Sequence, residues 1–139
     1  MTRVSPTNTV AIKTEPDIVL VRQAAREAAV TAGFSLVQQT KLVTAASELA
    51  RNALVYGGGG QAEIVVEESG STSTVRLIFV DSGPGIPDIE LALTDGYTTG
   101  SGLGLGLGGA RRLADRFRIE SVPGKGTRIE LSLSTRRKP

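Results

Sequence analysis

Neither cysteine nor histidine occurs among the 139 residues. The first absence removes disulfides, a thiolate nucleophile and cysteine-based metal sites. It suits a reducing compartment, and a cytoplasmic location is the expectation. The second removes Ser-His-Asp catalysis, the usual zinc centres and a phosphohistidine. Tryptophan is absent too, and three phenylalanines and two tyrosines are the whole aromatic complement. Platforms for stacking single-stranded bases are therefore missing. The formal charge of +2 is too small for the electrostatic footprint of a nucleic-acid binder. Part of it belongs to Arg136, Arg137 and Lys138, read as a solvated tail. No apolar run is long enough to span a bilayer and no signal peptide is evident, so neither nucleic acid nor membrane is expected as a partner.

What is present reads as one domain over 1–139, long enough to bury a core of its own. Val10–Lys13 has the pattern of a short strand. Thr14 caps a helix with Pro16 in its first turn, and Gly33 stops it. Ser35 caps a second helix that runs to about Tyr56. Its apolar positions Leu42, Val43, Ala46, Leu49, Ala50 and Ala53 keep the 3.6-residue period, and Gly57–Gly60 ends it. Ile64–Glu67 and Val75–Val80 read as strands joined by a turn over Ser69–Ser73. Asp81–Asp88 is a turn-rich loop and Ile89–Leu93 a single helical turn. A helix is expected from about Gly106 to Asp115, then a hairpin of Arg118–Val122 and Thr127–Leu133. Hairpin-joined strands are antiparallel, and the helices can all cover one face. The expected architecture is a two-layer α/β sandwich with a mixed, largely antiparallel sheet.

Three motifs carry chemistry. In "ELARN", Glu48 and Asn52 stand four apart on the second helix and share a face. Such a pair offers a proton acceptor and an oxygen for a hard cation; an exposed polar pair is the plainer reading. In "DSGPGIPD", Asp81 ends a strand beside Gly83 and Gly85. That places a carboxylate at a sheet end next to a pliable loop, or it is an ordinary turn, for which Asp, Gly and Pro are the usual residues. The third motif is "TTGSGLGLGLGGARRLADRF", with six glycines from Gly100 to Gly109 and Leu103, Leu105 and Leu107 between them. Glycine weakens a strand interior, and flexible linkers are polar. A backbone that approaches an anion at the start of a helix fits better.

In this order and spacing the three motifs resemble the N, G1 and G2 boxes of the GHKL ATP-binding superfamily, the Bergerat fold. "GKGT", Gly124–Thr127, is similar to that fold's last element. Within the superfamily the whole chain is most similar to small serine/threonine kinases of the anti-sigma regulatory type, the stressosome switch kinases in particular. The resemblance implies ATP and Mg²⁺ as cofactors. It implies that Asn52 holds Mg²⁺ and touches the nucleotide, that Glu48 is the general base, and that Asp81 reads adenine with support from Thr127. Gly83 and Gly85 would let the loop approach the base. Gly102, Gly104 and Gly106 would let a lid wrap the phosphates, with Leu103, Leu105 and Leu107 tying the lid to the core.

One departure stands out. Relatives often carry a basic residue just before the glycine box, where this chain has Thr99-Gly100-Ser101. Arg51, Arg111 and Arg112 are the nearby candidates to replace that charge. Less positive charge at a phosphoryl-transfer site slows it, so a slow, signalling-type kinase is expected. The resemblance implies STAS-domain proteins as substrates and a PP2C-type phosphatase as the target of the released kinase. An anti-sigma factor that sequesters a sigma factor is the alternative partner reading. A nucleotide-gated interaction module without useful catalysis is the third, and the presence of both Glu48 and Asn52 speaks against it.

Overall fold

The computed structural model describes residues 2–86, 88–93 and 106–136. The chain runs β1 (Thr2–Val4), β2 (Asn8–Ile12), α1 (Glu15–Thr31), α2 (Leu36–Val55), β3 (Gly60–Ser69), β4 (Thr72–Asp81), α3 (Ile89–Ala92), α4 (Gly106–Leu113), β5 (Arg116–Val122) and β6 (Gly126–Arg136).

Each helix end has a chemical cause. Asp17 Oδ2 accepts the backbone N–H groups of Lys13 (2.8 Å) and Thr14 (3.0 Å), two donors that the start of α1 leaves free. The same bonds, the one from Lys13 foremost, hold the Asp17 carboxyl below its ordinary value. Gly33, at φ +80°, ends α1, and Phe34 N–H reaches back to the Ala29 carbonyl in a glycine C-cap. Ser35 and Gln38 then exchange bonds, Gln38 N–H to Ser35 Oγ and Ser35 N–H to Gln38 Oε1, and α2 starts.

Helices α1 and α2 pack against each other and bury many small side chains, Ala24, Ala25, Ala28 and Ala29 from α1 and Ala45, Ala46, Ala50 and Ala53 from α2. Small residues let two helix backbones come close. Below them lies the sheet, in the order β1-β3-β4-β6-β5, with β2 also on β3. Every pairing among the described residues is antiparallel. Strands β1 and β2 share the outer edge of β3, at Glu67–Ser69 and Gly60–Ile64. Alternate residues Ala62, Ile64 and Val66, then Val75, Leu77 and Phe79, then Ile129, Leu131 and Leu133, face the helices and build one core with Leu42, Leu49 and Leu107. Fully burying each Leu or Ile contributes about 1.5–3 kcal/mol. The opposite face carries charge instead: Arg76 pairs with Glu67, and Arg128 lies 3.1 Å from Glu130. The two-layer sandwich with one helix-covered face is therefore the architecture found.

Details differ from the sequence reading. β1 was not expected; its three residues are all exposed, so no alternation marks it. The β3–β4 turn is Gly70-Ser71 alone, and Ser73 is fully buried inside β4. Helix α4 stops at Leu113 rather than Asp115. Asp115 instead docks on β6, its N–H donating to the Ser132 carbonyl and its Oδ2 accepting Ser134 N–H, so β5 begins at Arg116. Arg136 is not tail but the end of β6, opposite Thr72.

Candidate active site

Helix α2 places Glu48 and Asn52 one turn apart. Their neighbours Leu49 and Ala53 are buried, and that fixes the rotation of the helix and leaves the polar pair half-buried at its edge. The start of α4 packs here. Glu48 Oε2 accepts the N–H of Gly106 at 3.2 Å. Gly106 sits at φ +57°, a conformation that costs glycine least. Leu107 and Ala110 pin α4 into the core.

One end of the sheet supplies the second cluster. Gly60, Asp81, Thr127 and Ser121 are successive register partners across β3, β4, β6 and β5. Asp81 Oδ1 accepts Gly83 N–H at 2.9 Å, which folds the loop back over the strand end. Thr127 is only 5% exposed, and its hydroxyl lies 2.9 Å from Ser121 Oγ. Ser121 Oγ also accepts Ile86 N–H at 2.7 Å, which ties the far side of the same loop to β5.

The end of α2 presses against this row. A side chain on Gly57 would run into the Asp81 carboxylate, and one on Gly83 would come within 2.6 Å of the Gly57 backbone. Glycine is present at both positions because two backbones touch there. Gly85, at φ +81°, faces Val122 and Pro123 of the β5–β6 hairpin.

The structure thus brings Glu48 to the start of α4 with Asn52 one turn further along α2, and Asp81, Gly83, Gly85 and Thr127 to one sheet end. Gly106 and Leu107 belong to α4 rather than to a loop before it. Gly102, Leu103, Gly104 and Leu105, with Thr99-Gly100-Ser101, lie outside the described residues. Of the candidate cations, Arg51 lies 3.7 Å from Glu15, both side chains exposed, and Arg111 and Arg112 are exposed in the last turn of α4. Two residues of the site were not singled out in the sequence. Ser121 had a legible signal, a hydroxyl on the inward parity of β5 that Phe117 and Ile119 begin. Gly57 had one as well, since four glycines exceed what a helix stop requires.

The donor set suits a nucleotide. A half-buried carboxylate meets a helix start one turn from a half-buried amide, and a second carboxylate and a hydroxyl stand side by side at the sheet end. Among the described residues no three His, Cys, Asp or Glu side chains are placed to hold a metal.

The comparisons agree. Residues 37–137 match the family model of the histidine kinase-, DNA gyrase B- and HSP90-like ATPases. The chain belongs to that family, whose substrate is ATP. Over 121 residues, 87% of this chain and 91% of the relative, it is 46% identical to the serine/threonine-protein kinase RsbT of Bacillus subtilis (strain 168). It is a protein serine/threonine kinase of that type. It is also 33% identical to the anti-sigma F factor of Thermoanaerobacter sp. (strain X514), over 64% of this chain and 65% of that one. The fold is similar to that of the RsbU and RsbW domains of a Mycobacterium tuberculosis protein (TM-score 0.66, 21% identity, 96% of this chain and 34% of that one). It is likewise similar to the mycobacterial sensor histidine kinase MprB (TM-score 0.56, 18% identity, 96% of this chain and all of that one). Among the described residues no helix is long and apolar enough to cross a membrane.

Proposed function

We propose that the chain is the kinase of a cytoplasmic partner-switching module and phosphorylates a serine or threonine of a STAS-domain antagonist. The observation that carries this is the meeting of Glu48 with the start of α4. It puts a proton acceptor beside a helix terminus that favours phosphate. The acceptor hydroxyl oxygen bonds to the γ-phosphorus, the β–γ bridging bond breaks, ADP leaves, and Glu48 takes the hydroxyl proton. Asn52 would offer its side-chain oxygen to Mg²⁺. When bound, that ion neutralises phosphate charge. Asp81 accepts from the exocyclic amine of adenine, Thr127 makes the second base contact, and Gly83 and Gly85 keep the loop close to the base. By the resemblance, Gly102, Gly104 and Gly106 are the residues that would cover the phosphates and Leu103, Leu105 and Leu107 those that would tie that cover to the core. Once released from its substrate, the kinase activates a PP2C-type phosphatase.

The 33% identity to an anti-sigma F factor favours a second reading, in which the chain binds a sigma factor. One assay tests both: radiolabelled ATP and Mg²⁺ with candidate STAS proteins and a sigma factor, alongside a pull-down. Label on the STAS protein with no sigma factor retained supports the first reading. A sigma factor as the dominant partner supports the second.

A further inference from the structure

Ser121 lies in contact with Thr127 but is assigned no role by the motifs above. Its hydroxyl has one hydrogen and two lone pairs. Ile86 N–H takes one lone pair at 2.7 Å. The hydrogen then has two destinations, Thr127 Oγ1 at 2.9 Å or the Gly126 carbonyl at 3.4 Å. The longer contact is a poor bond and the shorter a good one. With Ser121 donating to Thr127, the Thr127 hydrogen is released to point away from Ser121. The reverse arrangement would fill both Ser121 lone pairs and leave its hydrogen on the weak contact. It would also leave Thr127 with lone pairs alone to offer.

We infer that Ser121 is a positioning residue that makes Thr127 a hydrogen-bond donor, and that it thereby sets the choice of adenine over guanine. The inference rests on the reading in which Asp81 and Thr127 face the base. Asp81 can only accept, and its Oδ1 is already fixed by Gly83. Thr127 is its direct partner across the strand pair. The row therefore presents an acceptor beside a donor. The adenine edge presents the complement, an amine donor beside the N1 acceptor. The guanine edge presents a carbonyl acceptor beside an N1–H donor and mismatches at both positions. Sites built to hydrogen-bond one edge reject the other because their own polar groups are left unpaired.

The test measures equilibrium affinities of the full chain for ATP, GTP and 1-deaza-ATP, in which N1 is replaced by C–H. Wild type, Ser121→Ala, Ser121→Thr, Thr127→Val and the double variant Ser121→Ala/Thr127→Val are compared, with thermal unfolding as a check on folding. Ser121→Ala is expected to weaken ATP about tenfold, to leave 1-deaza-ATP within about twofold of wild type, and to lower the ATP-to-GTP preference. Ser121→Thr should restore all three values. Thr127→Val should mimic Ser121→Ala, and the double variant should lose no more than either single one. Equal loss for ATP and 1-deaza-ATP would mean that Ser121 merely holds the Ile86 loop, and the inference fails. No loss for ATP in Ser121→Ala overturns it as well. A wild type that binds ATP and 1-deaza-ATP alike removes the base-facing reading itself, and the inference with it.

Discussion

The carboxylate of Glu48 closes the start of α4: its Oε2 accepts the Gly106 N–H at 3.2 Å, across 58 residues of chain. A side-chain carboxylate thus holds an N–H at a helix start, a position that also favours a phosphate oxygen. On the proposed reading, phosphate and Glu48 compete for one donor, and phosphate arrival frees Glu48 to accept a proton. Two substitutions separate these roles. Glu48→Gln keeps an oxygen for Gly106 and removes the basicity. Its ATP affinity should stay within a few-fold of wild type while single-turnover transfer falls about 10²–10⁴-fold. Glu48→Ala removes the competitor. ATP, but not adenosine, should then bind roughly three- to tenfold more tightly, with transfer still lost. Titration calorimetry with both ligands checks the difference, and wild-type transfer in Glu48→Gln would remove Glu48 as the base.

Asn52 shares the helix face but has different chemistry. Asn52→Ala should leave adenosine binding unchanged and abolish the gain in ATP affinity that Mg²⁺ gives. Comparing ATP affinity in Mg²⁺ and in EDTA reads this directly. A mutant that phosphorylates at the wild-type rate in Mg²⁺ would mean that the cation is held elsewhere.

Gly57 is required for space rather than for its backbone angle. A methyl group there meets the Asp81 carboxylate and the Ala53 carbonyl. Gly57→Ala should cost about 1–3 kcal/mol of stability from overpacking and should weaken ATP binding by displacing Asp81. At Gly58, φ +69°, nothing lies within 4 Å of an added methyl. Gly58→Ala should therefore cost only its backbone strain, roughly 1 kcal/mol, and leave ATP affinity intact. Chemical denaturation and calorimetry on the pair decide whether contact or conformation matters.

Acid should expose the cap of α1. The Asp17 pKa is lowered from 3.8 by the N–H groups of Lys13 and Thr14. A depressed carboxyl pKa contributes stability that is fully present above the unfolded value and is lost as pH falls through the folded one. Asp17→Ala should therefore unfold at lower denaturant than wild type at pH 7, and the gap should narrow steadily below about pH 4. A gap that stays constant down to pH 2 would mean that the cap owes nothing to ionisation.

Much of this protein was readable from local rules. Helical spacing alone put Glu48 and Asn52 on one face, and Ser35 and Gly33 marked where α1 hands over to α2. The turn residues beside Val75–Val80 and Thr127–Leu133 identified β4 and β6. The polar ends of β3, Gly60-Gln61 and Glu68-Ser69, were not legible, because they are strand by virtue of pairing with β1, β2 and β4. Their own residues carry no pattern that says so. Asp115 looked like a last helical residue until β6 claimed both its N–H and its carboxylate.

The sequence by itself determined most of the elements, the caps of α1 and α2 and the antiparallel hairpins, because each depends on neighbours within about one helical turn or one hairpin. Only the tertiary structure decided that Glu48 meets Gly106, that Gly57 forms the wall behind Asp81, and that Ser121 stands between Ile86 and Thr127. Those contacts join residues 58, 24 and 35 positions apart. They are set by strand register and by how closely alanine-lined helices pack on the sheet, and no local periodicity encodes either.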